Sequence, residues 1–379
     1  MTQEIILTGA RIVTATEVIE GTAQVVDGII RGLASGGTAV ASAIDCEGDL
    51  LLPGLVELHT DNLEKHMTPR PKVRWPAPAA VLAHDSQMAT AGITTVYDAI
   101  SLGDMIEGSE RHANVAAMVD AVTAASDDGL LRADHRLHLR CEVSSATVMT
   151  LFTGFADNPL VGIVSLMDHT PGQRQFVREQ QYRDYYMGKY GFNAEEMAAF
   201  SERQILASAT YSARHRAEIA ALAREMGLVL ASHDDATLAH VEEAADFKVS
   251  FSEFPTTLEA AKAARQRDMH VLVGAPNLVR GGSHSGNISA AELAEHRCLD
   301  MLSSDYVPVS LLHGAFLLVQ LGYPLPEAVA TVSGIPAAVA GLGDRGAIQS
   351  GKRADLLRVT DHDGLPVVRA VWREGERVA

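Results

Sequence analysis

Leu51-Leu52-Pro53-Gly54-Leu55-Val56-Glu57-Leu58-His59-Thr60-Asp61 is the stretch whose reading decides the fold. A Pro-Gly turn launches an apolar run of strand character. His59 and Asp61 leave its end two residues apart, so on a regular strand both project from one face. An imidazole and a carboxylate placed this way form a chelating pair for Zn2+ or a similar divalent ion. A lone His-x-Asp is a weak signal, and its weight depends on what ends the other apolar runs.

Further runs of the same kind follow: Ile93–Tyr97, Arg136–Cys141, Val161–Leu166, Leu228–Ala231, Val249–Phe251, Val271–Val273 and Asp300–Leu302. Alanine-rich helical candidates lie between several of them, at Ala79–Ala91, Val115–Ala125, Ala194–Met226, Ala236–Ala245, Leu258–Arg267 and Ala290–His296. Strand alternating with helix implies parallel strands joined by right-handed crossovers, and eight such units predict a (β/α)8 barrel. A polar residue follows nearly every run: His59 and Asp61, Asp98, Glu142, Asp168 and His169, His233, Glu253, Asn277 and Asp305. In a barrel the C-terminal ends of all strands converge on one face, so these dispersed residues are expected to gather in one pocket. Any one of them could instead be a turn or cap residue.

Both chain ends have a different texture. Short apolar runs broken by glycine fill the first fifty residues, and Gly351–Val359 and Pro366–Trp372 are two more strand candidates. The expectation is a small β-sandwich assembled from residues 1–53 and 345–379, with the barrel between them over 54–344.

Composition narrows the function. Among 379 residues, 31 Lys+Arg face 48 Asp+Glu, a formal net charge of −17, with 47% hydrophobic and 21% charged residues. This is ordinary globular material, and so acidic a surface disfavours nucleic acid and anionic membrane as partners. Cys46, Cys141 and Cys298 stand far apart with no CxxC spacing, which indicates neither a disulfide framework nor a cysteine zinc knuckle and fits a cytoplasmic setting. The start, Met1 to Gly9, has no basic segment of the kind that opens a secretory signal. The longest apolar stretch, Leu311–Leu321, is well short of the ~20 residues a bilayer requires.

Pro53-Gly-Leu-Val-Glu-Leu-His-Thr-Asp61, Ala91-Gly-Ile-Thr-Thr-Val96, His233, Asp305 and Gly351-Lys-Arg-Ala-Asp-Leu356 together resemble the amidohydrolase superfamily. Longer blocks resemble one branch of it, the diphosphatases of phosphonate metabolism in the carbon-phosphorus lyase pathway. They are His59–Lys65, Pro69–Pro76, Ser165–Phe176, Ser232–Thr237, Glu253–Thr257 and Gly274–Asn287, and the similarity runs over essentially the whole chain. The resemblance implies a metal-bearing barrel that hydrolyses alpha-D-ribose 1-methylphosphonate 5-triphosphate, a phosphorylated sugar phosphonate, to the 5-phosphate and pyrophosphate. It implies one or two divalent ions, Zn2+ foremost. Asp61 stands where the superfamily usually has a second histidine, and Glu253 where many members have histidine. The expected ligands are His59, Asp61, Glu142, His169, His233 and Asp305, with the role of Asp168, neighbour of His169, left open. Asp305 is in addition the candidate for proton handling, or else a ligand alone.

Cleaving a triphosphate also needs cations for the departing pyrophosphate. Lys65 to Trp75 contains Lys65, Arg70, Lys72 and Arg74 with no acid, stiffened by Pro69, Pro71 and Pro76. It is either a phosphate-binding mouth or a solvated basic loop. Arg174 and Arg280 are further candidates. Gly281–Asn287, with His284 at its centre, offers amides and hydroxyls to an anion or is a flexible surface loop; it is neither a P-loop nor a nucleophile elbow. His84, His112, His135, His138, His215, His240 and His313 are read as packing or surface residues, and His66 is assigned no role. Tyr182, Tyr185, Tyr186 and Tyr190 with Met187 line a sugar site, a lid or an interface between copies of the chain, which leaves a homo-oligomer open. A deaminase or cyclic amidase, or a barrel kept as a non-catalytic scaffold, are the competing functions.

Overall fold

The computed structural model describes residues 3–103, 110–176, 179–283 and 286–379. Its eight barrel strands are Leu55–Thr60, Ile93–Leu102, Asp134–Glu142, Val161–Met167, Val229–His233, Phe251–Glu253, His270–Gly274 and Met301–Ser303. They pair in sequence order, each parallel to the next. Thr60 bridges in parallel to Asp305, which brings the last strand back to the first. The expected (β/α)8 architecture is therefore present.

Both termini build one mixed sheet. Leu50–Pro53 lies between the N-terminal strand Glu4–Val13, parallel to it, and Leu356–His362, antiparallel to it. The sheet curls, because edge residue Ile29 bridges to Arg353 and the Ile30 amide donates to the Lys352 carbonyl (2.9 Å). It encloses its own apolar cluster, including Leu7, Ile12, Ile30, Leu51, Leu356 and Trp372. Gly54 joins sheet to barrel where no side chain fits: a Cβ there would lie 2.2 Å from Thr94 Oγ1 and 2.8 Å from Asp355 Cβ. That is why the turn reads Pro-Gly.

Inside the barrel the period-two rhythm of the strands stacks two layers. Tyr97, Ile163, Ala231, Phe251, Leu272 and Met301 form an apolar plug with Val56 and Leu58. Two residues further along their strands stand His233 above Ala231 and Glu253 above Phe251. The first strand breaks the rhythm. A register irregularity between Glu57 and Thr60 turns both Leu58 and His59 inward, Leu58 into the plug and His59 onto the rings of His138 and His233. A regular strand would have separated them.

Helices at Ala77–Thr90, Glu110–Asp127, Ala194–Glu225, Leu238–Asp246, Leu258–Gln266 and Ala290–Glu295 match the alanine-rich candidates. Short ones at Asn62–Met67, Val148–Phe155, Ala275–Arg280, Leu325–Ala330 and Gly334–Val339, and longer ones at Glu179–Tyr190 and Ser310–Gln320, were not anticipated. Asn62–Met67 makes Lys65 helical rather than part of a loop. Among the described residues no helix is long and apolar enough to cross a membrane.

Outside the barrel wall, His84 and His135, read from sequence as packing residues, form a buried polar network. His84 Nε2 and His135 Nδ1 each lie 2.7 Å from one oxygen of Asp98. Asp85 accepts from the amides of Arg132 (2.8 Å) and Ala133 (3.0 Å) and from the Arg132 guanidinium (3.0 Å), and faces His135 Nε2 at 3.5 Å. Burial opposes ionisation of Asp98, but the charge of His135 and the hydrogen bonds from both imidazoles outweigh it and hold that carboxyl below the usual range. Burial likewise opposes the imidazolium of His135, yet Asp98 and Asp85 raise it to about 9. His84, dominated by burial, is shifted down and is neutral at neutral pH. The folded-state value of His135 lies above its unfolded 6.5, so its stabilisation is complete below that pH and is lost as pH rises towards 9. His84 acts in the opposite sense and only at lower pH. We predict an unfolding free energy that declines by on the order of 3 kcal/mol between pH 6.5 and 9.5 from this group. Chemical denaturation of His135→Gln should show a less stable protein with that part of the slope removed.

Candidate functional site

The polar layer above the plug is where the sequence-predicted residues meet. Glu253, fully buried, is its centre. His59 Nδ1 lies 3.0 Å from Oε1 of Glu253, and His233 Nδ1 lies 3.0 Å from Oε2. His138 Nε2 is 3.6 Å from Oε1. One carboxylate thus faces imidazoles from the first, third and fifth strands, with His59, His138 and Glu253 forming one cluster of donors.

His138, read from sequence as a packing or surface residue, is buried within this cluster. Its Nδ1 donates to the Leu58 carbonyl (2.9 Å), so Nε2 carries a lone pair, and that atom is buried without a hydrogen-bond partner. A buried, basic, unsatisfied nitrogen pointing at a carboxylate is the arrangement a cation would complete. A signal was available: His138 and Glu142 are four residues apart on an alternating strand and share its inner face.

A second cluster joins His169, His233 and Asp234. His169 Nε2 lies 3.7 Å and His233 Nε2 3.5 Å from Asp234 Oδ2. Glu142 orients this group: its Oε2 is 2.6 Å from His169 Nδ1, while Oε1 accepts from the His169 amide (3.2 Å) and Ser144 Oγ (2.8 Å). A carboxylate on Nδ1 fixes the tautomer that leaves Nε2 free for a metal, so Glu142 stands behind a candidate ligand. Asp234 is a residue the sequence reading missed, hidden beside His233 in a run of two aspartates. Asp168 faces away from His169, towards Arg216 (3.3 Å) and Ser208 (3.2 Å).

Asp61 and Asp305 close the mouth. The Asp61 amide donates to the Asp305 carbonyl (3.2 Å), which also accepts from Thr60 Oγ1 (2.7 Å). Burial, with the like charge of Asp61 next, raises the Asp305 carboxyl to about 7. Asp234 is raised to about 6, chiefly by burial. His59 and His233 are held well below their usual range by burial, so they are neutral and able to ligate. Neutral imidazoles among crowded carboxylates have the donor chemistry of a divalent-cation site, and Glu253 is placed to serve both clusters.

The expected cations are dispersed. Lys65 reaches back to the site, donating to the Tyr306 carbonyl with its ammonium 4.9 Å from that ring. Pro69 to Pro76 is exposed throughout, and the Val73 amide donating to the Arg70 carbonyl (3.0 Å) makes a turn that carries Arg70 and Arg74 on the surface. Arg280 is exposed at the end of helix Ala275–Arg280, where Gly281 at φ 77° terminates it. Arg174 is buried, and its guanidinium closes on Asp235, Glu243 and the His233 carbonyl rather than standing open for phosphate. His284 lies outside the described residues. Of the aromatic group, Tyr182 and Tyr186 pack with Phe176, Met197 and Phe200 in a small separate core.

A protein from Escherichia coli K12 named alpha-D-ribose 1-methylphosphonate 5-triphosphate diphosphatase is 48% identical over 376 residues, covering 98% of this chain and all of the relative. No family model matches. Similar solved structures include 5-methylcytosine deaminase from Klebsiella pneumoniae (TM-score 0.66, 16% identity, 99% of this chain and 98% of that one). Others are N-acetyl-D-glucosamine-6-phosphate deacetylase from Mycobacterium smegmatis (0.62, 18%, 99% and 100%) and an amidohydrolase from a Sargasso Sea sample (0.61, 16%, 100% and 93%).

The geometry predicts that His138→Ala lowers divalent-metal affinity at least ~10-fold, the scale found even for residues behind the ligands. Metal titration of the apo-protein followed by elemental analysis measures it. Equal metal content in variant and wild type would remove His138 from the site.

Proposed function

The chain belongs to the family of alpha-D-ribose 1-methylphosphonate 5-triphosphate diphosphatases, carried on an amidohydrolase barrel, and from that premise we propose that it performs the reaction its relative is named for. The enzyme is a hydrolase of a phosphoric anhydride, releasing pyrophosphate and leaving the 5-phosphate on the sugar phosphonate. The observation that carries this is identity at nearly half of all positions across the full length of the relative.

In our assignment divalent metal, Zn2+ foremost, is held by His59, His138 and Glu253 on one side and by His169, His233 and Asp234 on the other, with Asp61 and Asp305 at the rim. Bound there, such ions would supply a nucleophilic water at neutral pH and would polarise phosphoryl oxygens. Glu142 holds the ring of His169 in its ligating tautomer. Asp305, beside Asp61 at the mouth, orients the attacking water and takes its proton. Lys65 stands nearest the mouth to meet the leaving pyrophosphate, and Arg70, Arg74 and Arg280 draw the polyanion in from the surface. Three cysteines that are all buried and unpaired agree with a cytoplasmic location.

Single turnover in 18O-labelled water should place the label in the 5-phosphate product and not in pyrophosphate. Label in pyrophosphate would mean attack at another phosphorus. Asp305→Asn should lower kcat by at least ~100-fold with an unchanged circular dichroism spectrum; near-normal kcat would end its role. Arg70→Ala should raise KM and flatten its dependence on ionic strength, with stability unaffected.

A further inference from the structure

The third barrel strand presents His138, Arg140 and Glu142 on alternate positions of one face, and both neighbours of Arg140 on that face belong to the candidate site. Arg140 is only partly buried. On the alternating strand Asp134–Glu142 its side chain leaves from the face that carries His138 and Glu142, the side on which the candidate site lies. Yet it forms no ion pair and no hydrogen bond with any described residue, and its Nε is buried without a partner.

Interior arginines elsewhere in the molecule behave differently. Arg174 closes on Asp235 and Glu243, Arg216 on Asp168 and Glu243, and Arg345 on Asp134 and Asp344. A guanidinium that merely neutralised the acidic pocket would sit on one of its carboxylates in the same way. Arg140 instead keeps its donors free. The planar fork of arginine matches the paired oxygens of a tetrahedral phosphorus oxyanion.

We propose that Arg140 is a substrate-binding residue whose guanidinium grips a phosphoryl or phosphonate oxygen of the bound substrate inside the barrel. The inference rests on the diphosphatase function proposed above, and it adds an interior anion contact to the surface cations. Phosphorus oxyanions occur at both ends of that substrate, in the triphosphate and in the methylphosphonate.

The test uses metal-loaded enzyme and two probes, alpha,beta-methylene-ATP for the triphosphate end and methylphosphonate for the other, with inhibition constants measured for wild type, Arg140→Gln and Arg140→Lys. Loss of a charged hydrogen-bond pair should weaken one probe roughly 10- to 100-fold in Arg140→Gln, and less in Arg140→Lys, with metal content and Tm as in wild type. Weakening of the first probe assigns Arg140 to the triphosphate, and weakening of the second assigns it to the phosphonate. Unchanged constants for both probes overturn the proposal. So does lost metal with unchanged affinity at the sites still loaded. Should either variant fail to fold, the other carries the comparison. Pyrophosphate release by wild type is scored separately, so failure of the diphosphatase function is distinguishable from failure of this contact.

Discussion

The carboxylates of Asp61, Glu142, Asp234, Glu253 and Asp305 converge at the mouth of one barrel, and a low-dielectric interior tolerates such crowding only if cations share it. That constraint explains the site's other features. Burial raises Asp305 and Asp234 towards neutrality, which records how unfavourable their joint ionisation is in the protein alone. His59 and His233 among them are neutral and offer lone pairs, not compensating charge. Lys65 and Arg140 supply fixed positive charge, too little for five acids. Divalent ions at the two donor clusters would balance the remainder, so electrostatics and donor geometry both favour a site for divalent cations.

Holding repelling groups in place requires a stiff frame, and its weakest point is where the first strand meets the last. Glu57, buried in that seam, accepts from the His59 amide and the Ser304 amide, so one side chain ties together the backbones that carry His59 and Asp305. Burial raises its carboxyl to about 8. Just past the strand ends, Asp234, Phe254 and Asp305 adopt left-handed φ of 56°, 51° and 51°. Non-glycine residues in that region cost on the order of 1 kcal/mol or more each, and such strain collects where side chains must be aimed. The apolar plug beneath gives the layer a rigid floor.

What was legible in the sequence was whatever depends on local pattern. Apolar runs with polar ends disclosed all eight strands, and the structure brings His59, Asp61, Glu142, His169, His233, Glu253 and Asp305 to one end of the barrel, whereas Asp98, expected with them, pairs instead with His84 and His135. His138, read as a packing or surface residue, and Arg140, given no role, lie within a strand, and their inward orientation follows only from spacing to Glu142. The sequence pattern also placed His59 inward for an incomplete reason, since the irregularity between Glu57 and Thr60 is what aims it. Arg174 shows the harder limit. A basic residue after a strand looks available to phosphate until Asp235 and Glu243, some sixty residues on, take up its guanidinium. The network of His84, Asp98, His135 and Asp85 was hidden in the same way, because its members come from separate elements and only tertiary structure pairs them.

The solved structures that share this fold are named for deamination and deacetylation, so the barrel does not select the substrate, and selection must reside in charges placed around a common frame. A triphosphate approaching a chain of net charge −17 meets repulsion at long range. The acid-free run from Lys65 to Trp75 inverts that field locally, since screening confines the effect of distant acids to about 8–10 Å at physiological salt. Exposed cations of this kind act on encounter and contribute little to a fixed pose. Positioning at the scissile phosphorus has to come from groups inside the barrel, where the dielectric is low and each contact counts for more. The described residues offer few cations there, and an uncommitted arginine between two site residues of the third strand is the one whose donors remain unspent. Surface charge that draws the polyanion in and an interior guanidinium that registers it would divide between them what the shared fold leaves unspecified.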